Sequence, residues 1–160
     1  MVKFIGVVMC VLSLTAQAEM RSQASFHAKF QPHRSELHIS VPTEIIAPTL
    51  QAHYDYLSGR ALSPNELNLY LEMYLRETVK LRFGAFPMAL GESGIFHDKD
   101  STKLVMKLAK LPKSARELLV EISSFNHNPK QKNVFQITQS FNRQTFALSG
   151  KNAFTANISL

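Results

Sequence analysis

The sequence predicts a mainly β fold, an antiparallel β-sandwich of about seven or eight strands with one short inserted helix. Short segments of alternating apolar and polar residues recur along the chain, and turn-forming residues separate them. In one stretch, by contrast, apolar residues recur at helical spacing. No repeat, linker or low-complexity stretch divides the sequence, so we expect residues 19–160 to form a single β-sandwich domain.

The alternation begins with a predicted hairpin. From 24 to 30 the even-numbered residues are apolar, and from 37 to 41 the odd-numbered ones are, with a turn-forming stretch at 31–35. Pro42 and Pro48 then indicate an irregular segment. Further strands are predicted at 79–83, 86–90, 103–111, 118–122, 133–140, 145–148 and 153–160, with a polar loop at 91–100.

One helix is predicted from about Pro64 to Arg76. Ser63 suits the capping position, Pro64 suits the first helical position, and Glu66 completes the pattern of a capping box. Apolar residues then recur three and four positions apart, which is typical of one helical face. The residues of that face are Leu67, Leu71, Tyr74 and Leu75.

The beginning of the chain has the pattern of a secretory signal peptide over residues 1–18. Lys3 supplies a positive start, an apolar run follows, and Ala16 and Ala18 are the small residues that leader peptidase requires. The apolar run is shorter than the about 20 residues of a membrane-spanning helix. We therefore expect cleavage between Ala18 and Glu19 and a periplasmic or secreted location.

Cysteine content and charge narrow the classes of function. The single cysteine, Cys10, lies in the expected leader, so the mature chain would have neither disulfides nor thiolate ligands. Of the 18 Lys and Arg residues only Lys3 is in the leader, and the chain has 12 acidic residues. The moderate positive charge favours anionic surfaces such as lipid head groups or acidic polymers. The basic residues are scattered, so they do not indicate nucleic-acid binding.

Histidines are the candidate metal ligands of this chain. In an exported protein without cysteine, imidazole is the natural ligand for Zn, Cu or Ni. If the first two strands form a hairpin, His27 and His38 are near cross-strand neighbours on its outer face, and His33 lies in the turn. No tight His-x-His or His-x-x-x-His spacing occurs here, so exposed polar positions are the simpler interpretation.

No catalytic signature is present in the sequence. Residues 91–94 lack the Gly-x-Ser-x-Gly pattern of a nucleophile elbow, and Gly-rich phosphate loops are absent. Acidic side chains near His97 suggest a Ca²⁺ or acid–base site, but Asp and Gly are ordinary turn residues, so a solvated turn is favoured. We therefore expect a protein without enzymatic activity. The residues considered for that site are Glu92, His97, Asp98 and Asp100.

An aromatic and leucine-rich region is a second candidate surface. Tyr54, Tyr56 and Leu57 precede the predicted helix, and the helix itself has an apolar face. If the helix packed loosely, these residues would form a partner-binding patch. Packing of the helix against a sheet, as part of the core, is the favoured interpretation.

Several short motifs occur in a characteristic order. A hairpin and a helix ending in Tyr-Leu are followed by Val79-Lys80-Leu81-Arg82-Phe83-Gly84, a Leu-Pro break, a strand from Leu118 to Ser124, and Gln131-Lys132-Asn133-Val134-Phe135-Gln136-Ile137. This layout resembles a group of small exported bacterial proteins of unknown function with an immunoglobulin-like β-sandwich. It is also similar to the extracytoplasmic domain preceding some nickel-transporter or hydrogenase-accessory-type membrane proteins.

The resemblance implies an immunoglobulin-like fold and no particular activity. Members of the group commonly begin their mature part with a His-Pro pair, whereas this chain has Glu19-Met20. The metal role of that pair therefore does not carry over. We expect a non-catalytic binding or accessory module for an envelope or membrane partner, with no nucleic-acid partner and no transmembrane span in the mature chain. The alternative is a periplasmic metal-binding protein using the surface histidines His27, His33 and His38.

Overall fold

A computed structural model describes residues 23–127 and 132–160. The expected signal peptide and its Ala18–Glu19 bond lie outside these residues. The described chain is mainly β, with ten strands and two α-helices. The elements are β1 (Ser25–Phe30), β2 (Ser35–Pro42), α1 (Thr43–His53), α2 (Pro64–Thr78), β3 (Val79–Phe83), β4 (Phe86–Pro87), β5 (Leu90–His97), β6 (Ser101–Leu108), β7 (Glu117–Ile122), β8 (Lys132–Gln139), β9 (Asn142–Ser149) and β10 (Thr155–Ser159).

The strands form two sheets. One has six strands in the order β5-β6-β2-β1-β8-β9, and the other has four in the order β10-β7-β3-β4. The predicted hairpin of β1 and β2 is confirmed as an antiparallel pair. The expectation of purely antiparallel pairing is wrong at β1 and β8, which run parallel because the chain between them crosses to the other sheet and returns.

Both sheets and both helices bury side chains in one hydrophobic core. Along β1 the predicted inner residues Phe26, Ala28 and Phe30 are buried, whereas the alternate residues face outward. The helix α2 is confirmed, and its capping box is formed, since Ser63 Oγ accepts from the main-chain N–H of Glu66. None of the helices in the described residues is long and apolar enough to cross a membrane.

The sequence predicts an irregular segment where α1 lies, and it predicts only one helix in the chain. Both predictions are wrong, because residues 43–53 form α1. Pro48 is inside α1 and removes one main-chain hydrogen bond. Packing outweighs that loss, because Ile46 and Leu50 on one face of the helix are fully buried. The hydroxyl of Thr49 also donates to the carbonyl oxygen of Ile45 at 2.6 Å.

The prediction of a polar loop at 91–100 is also wrong, because most of that segment forms the edge strand β5. Two glycines, several polar side chains and a bulge near its start conceal the strand. A Cβ atom at Gly91 would lie 3.2 Å from the Cβ of Lys107, so the glycine allows a close approach of the two strands. Arg76 of α2 donates to the Gly91 carbonyl oxygen at 2.7 Å and fixes the bulge. With β5, which the sequence did not predict, the described strands number ten rather than about seven or eight.

Candidate functional site

The outer face of the six-stranded sheet carries the candidate site. Strand register places one outward-facing residue from each strand in a row across this face. The row runs from the edge strand β5, through the centre of the sheet, to the edge strand β9. Its members are Gly94, Val105, His38, His27, Gln136 and Thr145.

His27 and His38 are directly opposed across β1 and β2, as the hairpin predicts. The two imidazoles have different partners at Nε2. His27 Nε2 lies 2.8 Å from Oγ1 of Thr138, and His38 Nε2 lies 3.0 Å from a carboxylate oxygen of Glu36. Both rings are therefore oriented by neighbouring side chains, and within the described residues neither Nδ1 atom has a hydrogen-bond partner.

The electrostatic surroundings keep His27 neutral near pH 7. Partial burial lowers the pKa of His27 below its ordinary value of 6.5, and the positive charges of Lys29 and Arg143 lower it further. For Glu36, burial opposes ionisation, but hydrogen bonds from His38 and Arg34 outweigh it and lower the pKa of the carboxyl group. The sheet face thus presents the neutral imidazole of His27 and, hydrogen-bonded to His38, the ionised carboxylate of Glu36.

A shallow trough of about 390 Å³ lies over this region. The side chain of Phe96, 60% exposed, forms its wall on the β5 side. Polar side chains from four strands reach the same trough, and Lys103 at its edge is held by Asp98 at 3.1 Å. An apolar wall with a few convergent polar groups is the usual composition of a ligand site. The polar side chains are Ser25, His27, His38, Ser40, Lys103 and Gln136.

His33 is not brought to the histidine pair. His33 lies in the turn after Phe30, and Phe30, the last residue of β1, is itself three residues from His27 along the strand. At about 3.3 Å per residue that separation is about 10 Å along the strand. In the two described stretches no group of three or more His, Cys, Asp or Glu side chains has the geometry to hold a metal ion. The three-histidine metal site stays a prediction, and only two of its members are neighbours.

The acidic segment near His97 is dispersed by the fold. Glu92 lies on β5 and pairs with Lys107 at 2.5 Å, whereas Asp98 pairs with Lys103. The main-chain carbonyl of Asp100 accepts from the N–H of Thr43 at 3.1 Å. The carboxylates of Glu92 and Asp98 are thus tied to different lysines, and the expected solvated turn is wrong for Glu92 and His97, which lie on β5.

The aromatic region between the helices is partly core and partly surface. Leu57, Leu71 and Leu75 are fully buried, as the core-packing interpretation predicts. The four tyrosines of the chain gather here. The ring centroids of Tyr54, Tyr56 and Tyr70 lie 5.6–5.9 Å apart, and that of Tyr74 lies 5.4 Å from that of Phe125. Tyr56 remains exposed. The Tyr54 hydroxyl is buried, and burial, then the charge of the nearby Glu77 carboxylate, raise its pKa.

Sequence reasoning found the histidine pair but missed the trough. Phe96 falls in a segment that the sequence predicts to be a loop, so its position beside β6 was hidden. Val105 and Gln136 reach the row only through pairings between strands far apart in the chain. Local alternation shows which side of a strand faces out, but it does not show which strands are neighbours.

Comparisons with protein-family models and with curated proteins found no match for this chain. The site must therefore be interpreted from its own geometry.

Proposed function

We propose that this chain is an exported, non-catalytic binding module that holds an envelope partner in the trough on the outer face of its six-stranded sheet. The trough carries the proposal because it combines an exposed aromatic wall with polar groups converging from several strands. Export is supported by the signal-peptide pattern of residues 1–18, and we place the protein in the periplasm or outside the cell. We also propose that its two sheets belong to the immunoglobulin-like class of sandwiches.

The chemistry of the trough favours a ligand with an apolar group next to a hydrogen-bond acceptor. Phe96 and Val105 offer contact to an aliphatic or aromatic side chain. The imidazole of His27 and the ammonium group of Lys103 can donate to a carbonyl or carboxylate oxygen. An extended segment of an envelope protein presents both kinds of group, so a peptide segment is the ligand that we propose.

Site-specific photocrosslinking in intact cells tests this function. A photoreactive residue replaces Val105 inside the trough or Thr145, which lies in the same cross-strand row outside it. We expect one defined adduct from position 105 and none from position 145. Phe96→Ala should abolish that adduct, and Phe96→Tyr should retain it because a ring remains. Equal adducts from both positions, or no dependence on Phe96, would rule out the trough as the partner site.

A metal-binding function is the second candidate, and the direct opposition of His27 and His38 favours it. Two imidazoles on adjacent strands can hold Zn²⁺, Cu²⁺ or Ni²⁺ if solvent or a partner completes the coordination. Calorimetric titration with each ion tests this. His27→Ala with His38→Ala should remove the heat of binding, whereas His33→Ala should preserve it. Heat that survives in the double variant would exclude the pair as the metal site.

A further inference from the structure

Four chain connections meet at one end of the two sheets, and we call this the basic end. It consists of residues 31–34, 84–85, 109–116 and 140–141 with the strand ends that flank them. Parallel β1 and β8 finish there together, since Phe30 is aligned with Gln139. Phe83 at the end of β3 belongs to the same end, because its ring centroid lies 6.5 Å from that of Phe30. Residues 109–116 cross this end from β6 to β7.

Two phenylalanines project from the basic end into solvent. Phe141 is fully exposed in the turn between β8 and β9, beside Ser140, whose φ of 54° is rare for a residue other than glycine. Phe86 is 77% exposed after the turn between β3 and β4. Phe86 and the segment 112–117 line one cleft of about 360 Å³, so this ring lies beside the connecting loop. These two exposed rings offer apolar area whose burial in a lipid layer would be favourable.

The basic end carries a surplus of positive charge. Six cationic side chains at this end form no ion pair within the described ranges. The nearby carboxylates are fewer, and two of them are neutralised, because Glu36 pairs with Arg34 and Glu92 pairs with Lys107. Glu117 is the remaining carboxylate described at this end. The six cationic residues are Lys29, Arg82, Lys110, Lys113, Arg116 and Arg143.

The opposite end of the sheets has a different charge. There the segment 98–100 meets the start of α1, and Glu44 and Asp100 line a common cleft with Lys99. Asp98, also at that end, pairs with Lys103. Lys99 and Lys103 at that end thus have carboxylates near them, whereas the six cationic side chains named for the basic end form no ion pair within the described residues. The protein therefore has one end suited to an anionic surface.

We propose that the basic end docks on an anionic lipid bilayer, with Phe86 and Phe141 entering the head-group layer. Peripheral proteins bind such surfaces through the sum of buried apolar area and attraction between basic side chains and anionic lipids. The basic end offers both at one end of the two sheets, whereas a soluble polyanion would use the charges and leave the two rings uncovered. Docking in this way leaves the outer face of the six-stranded sheet free, so the inference goes beyond the proposed trough function and does not depend on it.

Co-sedimentation with lipid vesicles tests the proposal, using chain that begins at Glu19. Vesicles of phosphatidylglycerol with phosphatidylethanolamine are compared with vesicles of phosphatidylcholine alone. We expect binding to the anionic vesicles only. Lys110→Glu with Lys113→Glu should weaken it by at least about tenfold, since each charge near such a surface contributes severalfold. The matched control is Lys99→Glu with Lys151→Glu, which changes net charge equally at the opposite end and should have little effect.

The aromatic contribution needs its own comparison. Phe86→Ser with Phe141→Ser should weaken vesicle binding by about tenfold, because two buried rings are lost. Phe96→Ser, which removes an exposed ring from the trough, should not weaken it. Circular dichroism confirms that each variant is folded. Absence of binding to anionic vesicles, equal loss in both charge variants, or binding to a soluble polyanion with no effect of the two phenylalanines would overturn the proposal.

Discussion

The side-chain amide of Asn133 donates to the main-chain carbonyl oxygen of Ser124 at 2.7 Å and so joins the two sheets. Asn133 is fully buried on β8, and its amide also reaches the carbonyl oxygen of Ile122, the last residue of β7. The hydroxyl of Ser124 lies 2.6 Å from that of Thr78 at the end of α2. A buried polar group of this kind stabilises one arrangement of the elements that it connects, since a misaligned sheet would leave it unpaired.

Replacement of Asn133 should destabilise the protein markedly. In Asn133→Ala two buried carbonyl oxygens lose their donor and a cavity forms, so we expect a loss of about 1–3 kcal/mol in the free energy of unfolding. Urea denaturation followed by circular dichroism measures it. Gln136→Ala, on the outer side of the same strand, should change stability by less than about 0.5 kcal/mol. Similar losses in the two variants would show that the buried amide is not a significant link.

The capping box of α2 predicts a smaller effect. Ser63→Ala removes the acceptor of the Glu66 main-chain N–H and the partner of the Glu66 carboxylate, which lies 2.8 Å from Ser63 Oγ. We expect a loss of about 1 kcal/mol in unfolding free energy. Ser63→Thr keeps the hydroxyl and should retain most of the stability. Thermal unfolding of the three proteins compares them, and coincident curves for the wild type and Ser63→Ala would be inconsistent with a functioning cap.

His27 should make stability depend on pH. Its pKa in the folded state is below 6.5 because of burial and neighbouring cations, so the unfolded chain binds the proton more readily. This contribution to stability is therefore present above pH 6.5 and is lost as pH falls through the lower folded value. His27→Gln should flatten the decline between pH 7 and pH 5 in urea titrations. An unaltered pH profile would mean that His27 titrates alike in the two states.

Lys29→Gln offers an independent check of the same electrostatic cause. Removing this cation should raise the pKa of His27 toward 6.5, because one of the positive charges that oppose protonation is gone. The ring-proton shifts of His27 in an NMR titration report that pKa directly. The control is Lys151→Gln, which removes a cation far from His27 and should leave the pKa of His27 unchanged. A His27 pKa that does not change when Lys29 is lost would leave burial and the charge of Arg143 as its causes.

The proposed export signal places two small side chains, Ala16 and Ala18, before the expected cut. Cleavage after Ala18 predicts a mature protein whose first residue is Glu19. Ala18→Leu should block processing, because leader peptidase does not accept a large side chain next to the cut, whereas Gln17→Leu should be processed normally. Intact mass measured on protein from the periplasmic fraction distinguishes these outcomes. Wild-type protein that retains Met1 and stays in the cytoplasm would refute export.

Local patterns predicted much of this fold because β1, β2, β6 and α2 have strong periodicity and clear capping or turn residues. They failed at α1, where packing of Ile46 and Leu50 overrides Pro48, and at β5, where glycines and a bulge hide an edge strand. The opposition of His27 and His38 followed from a short hairpin. The trough did not, since it requires β6 and β8 to flank that hairpin, and such distant pairings are set by the whole core.

Hydrogen–deuterium exchange on the crosslinked partner complex, compared with the free protein, locates the bound surface. If the trough holds the partner, protection should rise in the peptides that contain Phe96, Val105 and the β1–β2 pair, with little change at α2 and at the basic end. Protection confined to α2 or to the basic end, with the strands that carry His27 and His38 exchanging as in the free protein, would contradict a binding site in the trough.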